Sequence, residues 1–327
     1  MGSSFKRNRI INGNAQVAQR GTSFTNVSSG SLTNQYTLDR WWGYRSTYAS
    51  NLSISQQAGF GGSQYCLRFG RANGDTSTAT IDVGQIIESV NMVDLQGQIV
   101  TLSFYARTSP SGYSGGALSV VISSGTTADQ GLATLISGWA GATTPLNTTQ
   151  TLTTTATKYS FTATVPANSL ELAIQFLYTP TGTAGSTDYI EITNVQLEVG
   201  SVATPYERQI YSDQLAQCQR YYAVSNNLSP KGAASGSIAG LAAANNSIGT
   251  FWQYPVQMRA TPTISIWQNG TQNRARVTAT GSVVTITTLT SASGSCYSSS
   301  SIIYDSGGIP FTAGTSYDFD LIATAEL

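Results

Sequence analysis

The chain has 327 residues, 40% of them apolar and only 10% charged, and its 16 basic and 16 acidic side chains balance to zero. An average globular protein carries about 25% charged residues; here hydroxyl, amide and glycine positions fill the gap. Disorder of the highly charged kind is excluded, and so is the basic patch that a nucleic-acid partner needs. The sequence contains no histidine, so Ser-His-Asp and Cys-His nucleophiles and His-ligated zinc are excluded too.

In chain order, Arg7 to Gly21 (RNRIINGNAQVAQRG) has a basic start, the apolar pair Ile10 and Ile11, a turn at Asn12 and Gly13, and alternation through Ala15 and Val17. It reads as an arm leading into a first strand. Thr22 to Asn34 reads as loop, and Tyr36 to Ser46 (YTLDRWWGYRS) is the densest aromatic cluster. Apolar residues then alternate at period two through Tyr65, Leu67, Phe69; Ile81, Val83; Val100, Leu102, Phe104, Ala106; Leu118, Val120, Ile122; Tyr159, Phe161, Ala163, Val165; and Leu170, Leu172, Ile174, Phe176, Tyr178. Turn-rich clusters separate these strands, and Gly84 to Gln96 is the one segment here suited to a turn or two of helix. Ile190, Ile192, Val195, Leu197 and Val199 share a face only if a β-bulge near Thr193 and Asn194 slips the alternation by one.

Beyond the turn residues Gly200, Ser201 and Pro205, Ser212 to Tyr222 reads as a short helix, with Ser212 as N-cap, Asp213 in the first turn, and Leu215, Cys218 and Tyr222 on one side. Ala223 to Gly249 is Ser-, Ala-, Gly- and Asn-rich, so any strands there are weakly specified. Strands are expected at Thr263 to Gln268, Arg274 to Thr280, Val283 to Leu289, Ser299 to Asp305 and Tyr317 to Thr324, with a tight turn at Gly281 and Ser282 and alternation through Val284 and Ile286. Cys66, Cys218 and Cys296 are too dispersed for a disulfide framework or a CxxC metal site and read as buried thiols. The first residues lack the apolar run of a signal peptide, and no stretch approaches a membrane span. The expectation is synthesis in a cytoplasm, with no membrane insertion.

The run RIINGN to AQRG followed by LDRWW, and the later VQLEVGS to TPYERQIYSDQLAQCQRYY, resemble the carbohydrate-binding-module-like jelly-roll domain of bacteriophage tail and virion proteins. FWQYPVQMRATPTISI resembles the C-terminal tip domains of phage fibres. The fold expected is all-β: an N-terminal jelly-roll β-sandwich, a short helical linker and a small C-terminal β-sandwich. Arm and first strand take 1–21, the jelly roll 22–205, the linker 206–224 and the tip domain 225–327.

The resemblance implies a trimeric virion protein, made in the host cytoplasm and acting in a tail fibre, with the head fibre or capsid decoration protein as the structural alternative. In that reading Leu215, Cys218 and Tyr222 gather around the threefold axis, the N-terminal arm meets other virion proteins, with Arg7 and Arg9 either anchoring it there or keeping it soluble, and host-surface polysaccharide is the ligand. It implies no catalytic residues. A glycosidase would need two carboxylates roughly 5 to 9.5 Å apart, and Asp75, Asp82, Glu88, Asp94, Glu171, Asp188, Glu191 and Glu198 form no recognisable pair. A polysaccharide-degrading tailspike is the enzymatic alternative.

Sugar rings stack on aromatic faces, which makes Trp41, Trp42, Tyr44, Tyr48, Tyr113 and Trp139 the candidates in the first domain and Trp252, Tyr254 and Trp267 those in the second. Adjacent residues of a strand face opposite ways, so at most one of Trp41 and Trp42 is free. Tyr113 in its Ser/Gly loop and Trp139 between Gly138 and Gly141 are expected at the surface. The one cofactor that the jelly-roll resemblance allows is a structural calcium ion, with Asp188 and Glu191 as the nearest carboxylates.

Overall fold

A computed structural model describes residues 6–27, 29–30, 35–111, 113–225, 238–244, 247–268, 271–285, 289–291, 299–305 and 311–327. Cys296, Ile286 and the last residues of the expected loop at 22–34 lie outside them. The chain forms two units, one of residues 1–18, 22–211 and Leu327, the other of 19–21 and 212–326.

In the first unit eleven strands build two antiparallel sheets. They are β1 (Ser23–Phe24), β2 (Trp42–Arg45), β3 (Leu52–Ala58), β4 (Tyr65–Arg71), β5 (Ile81–Ile87), β6 (Ile99–Thr108), β7 (Leu118–Gly125), β8 (Thr143–Gln150), β9 (Thr157–Thr164), β10 (Glu171–Tyr178) and β11 (Tyr189–Val199). One sheet has the order β1-β3-β4-β11-β6-β9, the other β2-β5-β10-β7-β8. The chain passes back and forth between them, and their apolar faces close on one core; Phe104 of β6 meets Phe176 of β10 edge-on at 4.9 Å. This is a jelly-roll sandwich, which covers both inner faces at once.

The bulge in β11 is present. The register shifts between Thr193 and Gln196, Asn194 has φ 53°, and Val195 and Leu197 return to the core face. Val199, expected on that face, is 45% exposed at the strand end. The arm fills the backbone gaps that the bulge opens: Val195 N donates to Gly13 O (2.9 Å), Leu197 N to Asn8 Oδ1 (3.1 Å), Asn8 Nδ2 to Val195 O (3.1 Å) and Arg9 N to Leu197 O (2.9 Å). A Cβ at position 13 would collide with Val195 O, so glycine is needed there. The expected strand at Ala15 and Val17 is absent because side chains take its backbone groups: Val17 N donates to Asn12 Oδ1 (2.9 Å), Asn12 Nδ2 donates to Val17 O (2.8 Å) and Gln56 Nε2 to Ala15 O (2.6 Å). Arg7 pairs with Glu198 at 3.2 Å and Arg9 with Asp94, so both candidate anchors for another virion protein are engaged within the domain.

At Gly84 to Gln96 the expected helix is replaced by the end of β5 and two short 3-10 turns, Ser89–Asn91 and Val93–Leu95. Helix α1 (Leu132–Ser137) and strands β1, β2, β3 and β8 add to the elements read from the sequence, β1 lying within the segment expected as loop, where it pairs with β3. The edge strand β8 tolerates Pro145, whose missing N–H a central strand would need.

The second unit takes the rest of α2 (Tyr211–Gln219) and strands β12 (Tyr222–Val224), β13 (Ile238–Ala244), β14 (Ser247–Gln253), β15 (Thr263–Gln268), β16 (Thr271–Gln272), β17 (Arg274–Val277), β18 (Val283–Thr285), β19 (Leu289–Ser291), β20 (Ser299–Asp305) and β21 (Ser316–Thr324). These ten strands are linked through β21, whose first half pairs with β13 and β17 and whose second half pairs with β12 and β15. One long strand shared in this way lets a sheet turn a corner and close over its own core of Trp252, Tyr254, Phe311, Tyr317 and Phe319.

Candidate functional site

Most of the large aromatic candidates are core. Trp41 is 1% and Trp42 0% exposed. Trp41 faces the sandwich interior and donates its indole N–H to Asn12 O at 3.0 Å, while Trp42 faces the other way but is covered by Ile86, Leu132, Trp139, Ala173 and Leu327. The opposite-face rule was correct, but a second apolar cluster outside the sandwich covers the second ring. Trp139, expected at the surface, belongs to that cluster. Tyr113 is half-buried, stands edge-on to Tyr178 at 5.3 Å and bonds Gly116 O, so it plugs the sandwich rim. In the second unit Trp252 and Tyr254 are buried core residues 4.9 Å apart. Trp267 is half-buried and donates to Ser265 Oγ at 2.8 Å.

The calcium candidates are both committed to arginine. Asp188 Oδ2 accepts from Arg71 Nε (3.1 Å) and Nη2 (2.7 Å). The Arg71 guanidinium, fully buried, also reaches the carbonyls of Asp75, Ser77, Thr181 and Gly182 at 2.9–3.1 Å. An ordered cation is thus built into the chain at the place where carbonyl and carboxylate oxygens converge, and a calcium ion does not fit beside it. Glu191 lies between Arg68 and Arg107 and is equally taken. Among the described residues, no group of three or more carboxylates and thiols is spaced to hold a metal.

The linker residues are likewise spent within the chain. Cys218 is 1% and Tyr222 4% exposed, and Tyr222 packs with Val224 and Ile322 of its own unit. Leu215 is half-buried. A threefold seam through Cys218 and Tyr222 would have to open this packing, which corrects that expectation.

One surface of the first unit does gather aromatic and polar groups. On the outer face of the β2-β5-β10-β7-β8 sheet, Tyr44 lies opposite Asp82 in the β2–β5 register. Tyr48 follows in the β2–β3 connection, its ring 5.7 Å from that of Tyr44 and nearly perpendicular to it at 80°. Tyr48 is 38% exposed and Tyr44 half-buried. Thr47 and Tyr48 have φ of 57° and 52°, a left-handed conformation that costs a non-glycine residue of order 1 kcal/mol or more. The loop is held in it by Arg45, which is buried and bonds Asp75 Oδ2 (2.5 Å), Ser77 O (2.8 Å) and Ser50 O.

Beside this corner of two rings runs a chain of hydrogen bonds across three strands: Ser123 Oγ donates to Gln175 Oε1 (2.7 Å), and Gln175 Nε2 donates to Asp82 Oδ2 (2.7 Å). Asp82 is only 6% exposed, and its Oδ1 has no partner. Burial, opposed only by the Gln175 bond, pushes its carboxyl up to about 8, so at neutral pH it is a protonated donor as well as an acceptor. Burial and then Tyr48 also push the Tyr44 hydroxyl above its ordinary value. Neither carboxylate nor arginine contributes to the state of Asp82, and Asp75, Asp94, Asp188, Glu191 and Glu198 are each paired with an arginine.

No family model matches this chain, and no curated protein does. Among solved structures it is similar to the enzymatically active domain of bacteriophage CBA120 tailspike protein 4, with 12% identity over 59% of this chain and 22% of that one and a TM-score of 0.38. The chain therefore spans about a fifth of the tailspike structure. It is also similar to a family 61 carbohydrate-binding module in complex with β-1,4-galactotriose, with 10% identity over 60% of this chain and all of that one and a TM-score of 0.32. A third is the xylan-binding CBM22-1 domain of Paenibacillus barcinonensis Xyn10C, with 10% identity, 55% and 94% coverage and a TM-score of 0.32.

Of the sequence candidates, Tyr44 and Tyr48 come together at a surface. Asp82, Gln175 and Ser123 were missed as partners because Asp82 and Gln175 each stand alone between core residues and Ser123 follows one, and only the β5–β10–β7 pairing makes them neighbours. The available signal was a polar residue at an outward position of each strand, which any solvated sheet also shows, and the same face carries the apolar Val121, Ala173 and Ile86.

Proposed function

We propose that the first unit is a glycan-binding module whose site is the outer face of the five-stranded sheet at Tyr44, Tyr48, Asp82, Gln175 and Ser123. The observation that carries the reading is the orphaned, buried Asp82 oxygen beside a strained corner of two tyrosine rings. The C–H face of a sugar ring rests on Tyr48, and a hydroxyl that displaces the cover of the Asp82 oxygen would relieve the roughly 1–3 kcal/mol that an unpaired buried polar atom costs. Binding is the whole activity in this reading, since Asp82 has no second carboxylate acting on it. A glycan array followed by isothermal titration tests this: Tyr48→Ala and Tyr44→Ala each weaken the wild-type ligand about tenfold or more, Tyr48→Ala with an unchanged melting temperature. Wild-type affinity in both variants would overturn it.

The biological setting in this reading is a homotrimeric bacteriophage tail fibre, supported by the sequence blocks Arg9 to Gly21, Leu38 to Trp42 and Val195 to Tyr222. The threefold contacts belong to the exposed apolar residues ahead of α2 and at its first position, where Val202 is 74%, Ile210 68% and Tyr211 51% exposed. Three weak sites on one axis would gain avidity. Light scattering should return three times 34.5 kDa; a stable monomer contradicts the trimer, and immunogold labelling of particles separates tail from head.

A further inference from the structure

The other sheet carries a second built surface that shares no residue with the first. On the outer face of β4-β11-β6, Glu191 is 2% exposed and sits between two arginines. Its Oε1 accepts from Arg68 Nε (2.9 Å) and Nη2 (2.6 Å), and its Oε2 accepts from Arg107 Nε (2.6 Å). Each guanidinium also lies over a ring: the Arg68 Cζ is 3.8 Å from the Tyr189 centroid and the Arg107 Cζ 4.4 Å from that of Phe60. Phe60 is fixed in turn, because the hairpin that carries it is pinned by Asn194 Nδ2 on Gly61 O (3.0 Å) and by Arg208 on Gly62 O. Gly61, at φ 59°, lies so close over the Tyr105 ring that a Cβ there would come within 2.8 Å of it.

Two guanidinium groups against one carboxylate leave a net charge of +1. Arg107 uses only Nε, so its Nη1 and Nη2 have no acceptor among the described residues, and its side chain is 35% exposed. That edge of a guanidinium matches the two oxygens of a carboxylate. Its direction is fixed before any ligand arrives, so little ordering cost remains.

We infer that this face is a second binding site, specific for acidic sugars, in which Arg107 takes the carboxylate through Nη1 and Nη2 while Glu191, Arg68 and Phe60 hold it in position. The Arg68 charge adds attraction that salt screens.

The test is isothermal titration of the full chain with trigalacturonate and with its carboxyl-reduced counterpart, which differs only in carrying CH2OH for each carboxylate. The expected result is that reduction weakens binding at least about tenfold. Arg107→Lys, which keeps the charge but loses the fork, should weaken trigalacturonate by a similar factor, and Tyr48→Ala should leave it unchanged. Equal binding of the two probes by the wild-type protein, or no binding of either, overturns the inference without any variant having to fold. Loss of trigalacturonate binding in Tyr48→Ala would place the acid on the tyrosine face and overturn it as well. Failure of the tyrosine-face reading has a separate signature: neutral ligands unaffected by Tyr48→Ala while Arg107→Lys still weakens the acidic one.

Discussion

Asp82→Asn separates a buried ionisable group from a merely polar one. The carboxyl titrates at about 8 in the fold against 3.8 in the open chain. Between those values the native state keeps a proton that the unfolded state has lost, so stability falls as pH rises from about 4 to about 8 and is flat above. At about 1.4 kcal/mol per pH unit the full loss is on the order of 5 kcal/mol, a large share of the roughly 5–15 kcal/mol that holds a domain together. Asparagine keeps the acceptor for Gln175 and never ionises. Its amide also leaves one donor without a partner, a cost that does not change with pH. The assay is urea unfolding of both proteins at pH 4 and pH 9, followed in the first unit. The advantage of Asp82→Asn over wild type should grow by several kcal/mol between the two conditions. A difference that stays constant with pH, or shrinks, would show that Asp82 ionises as a solvated carboxylate and would remove the buried donor from the proposed site.

Trp41→Ala should cost about 3–5 kcal/mol in chemical denaturation, since a fully buried ring packed on Phe176 is replaced by a cavity; a cost under about 1 kcal/mol would contradict its core placement. Gly61→Ala should destabilise the β3–β4 hairpin through both its left-handed φ and the Tyr105 ring, and faster amide exchange at Phe60 to Ser63 than in wild type is the readout. In a Cys296→Ser background the native protein should react negligibly with a thiol reagent at pH 8, because Cys66 and Cys218 are buried and burial, then Glu191, push the Cys66 thiol up to about 12. Rapid labelling of one thiol would show that a strand face is open.

The sequence made the strands legible wherever two or more apolar residues alternate over a buried face, as in β6, β10 and β11, and even the β11 bulge, because the slip from Ile192 to Val195 leaves a visible break in the pattern. It was silent where the structure rests on side chains replacing backbone. Asn8 and Gly13 stitch the bulge, and nothing in RIINGN marks that segment as a partner of a strand nearly two hundred positions later. The buried Trp42 and Trp139 were misplaced because their cover comes from α1 and Leu327, elements with too little periodicity to announce a second cluster. The arginines of the acidic-sugar face follow the alternation as outward residues, yet their convergence on Glu191 depends on the β4–β11–β6 order, which periodicity does not encode.

Sugar binding at the tyrosine face is tested most directly by one titration series. The best neutral oligosaccharide from a glycan array is measured against wild type, the Tyr44→Ala/Tyr48→Ala double variant and Arg107→Lys. The affinity should vanish in the double variant and persist in Arg107→Lys. Undiminished affinity in the double variant, or an array on which no glycan is held, would contradict the account.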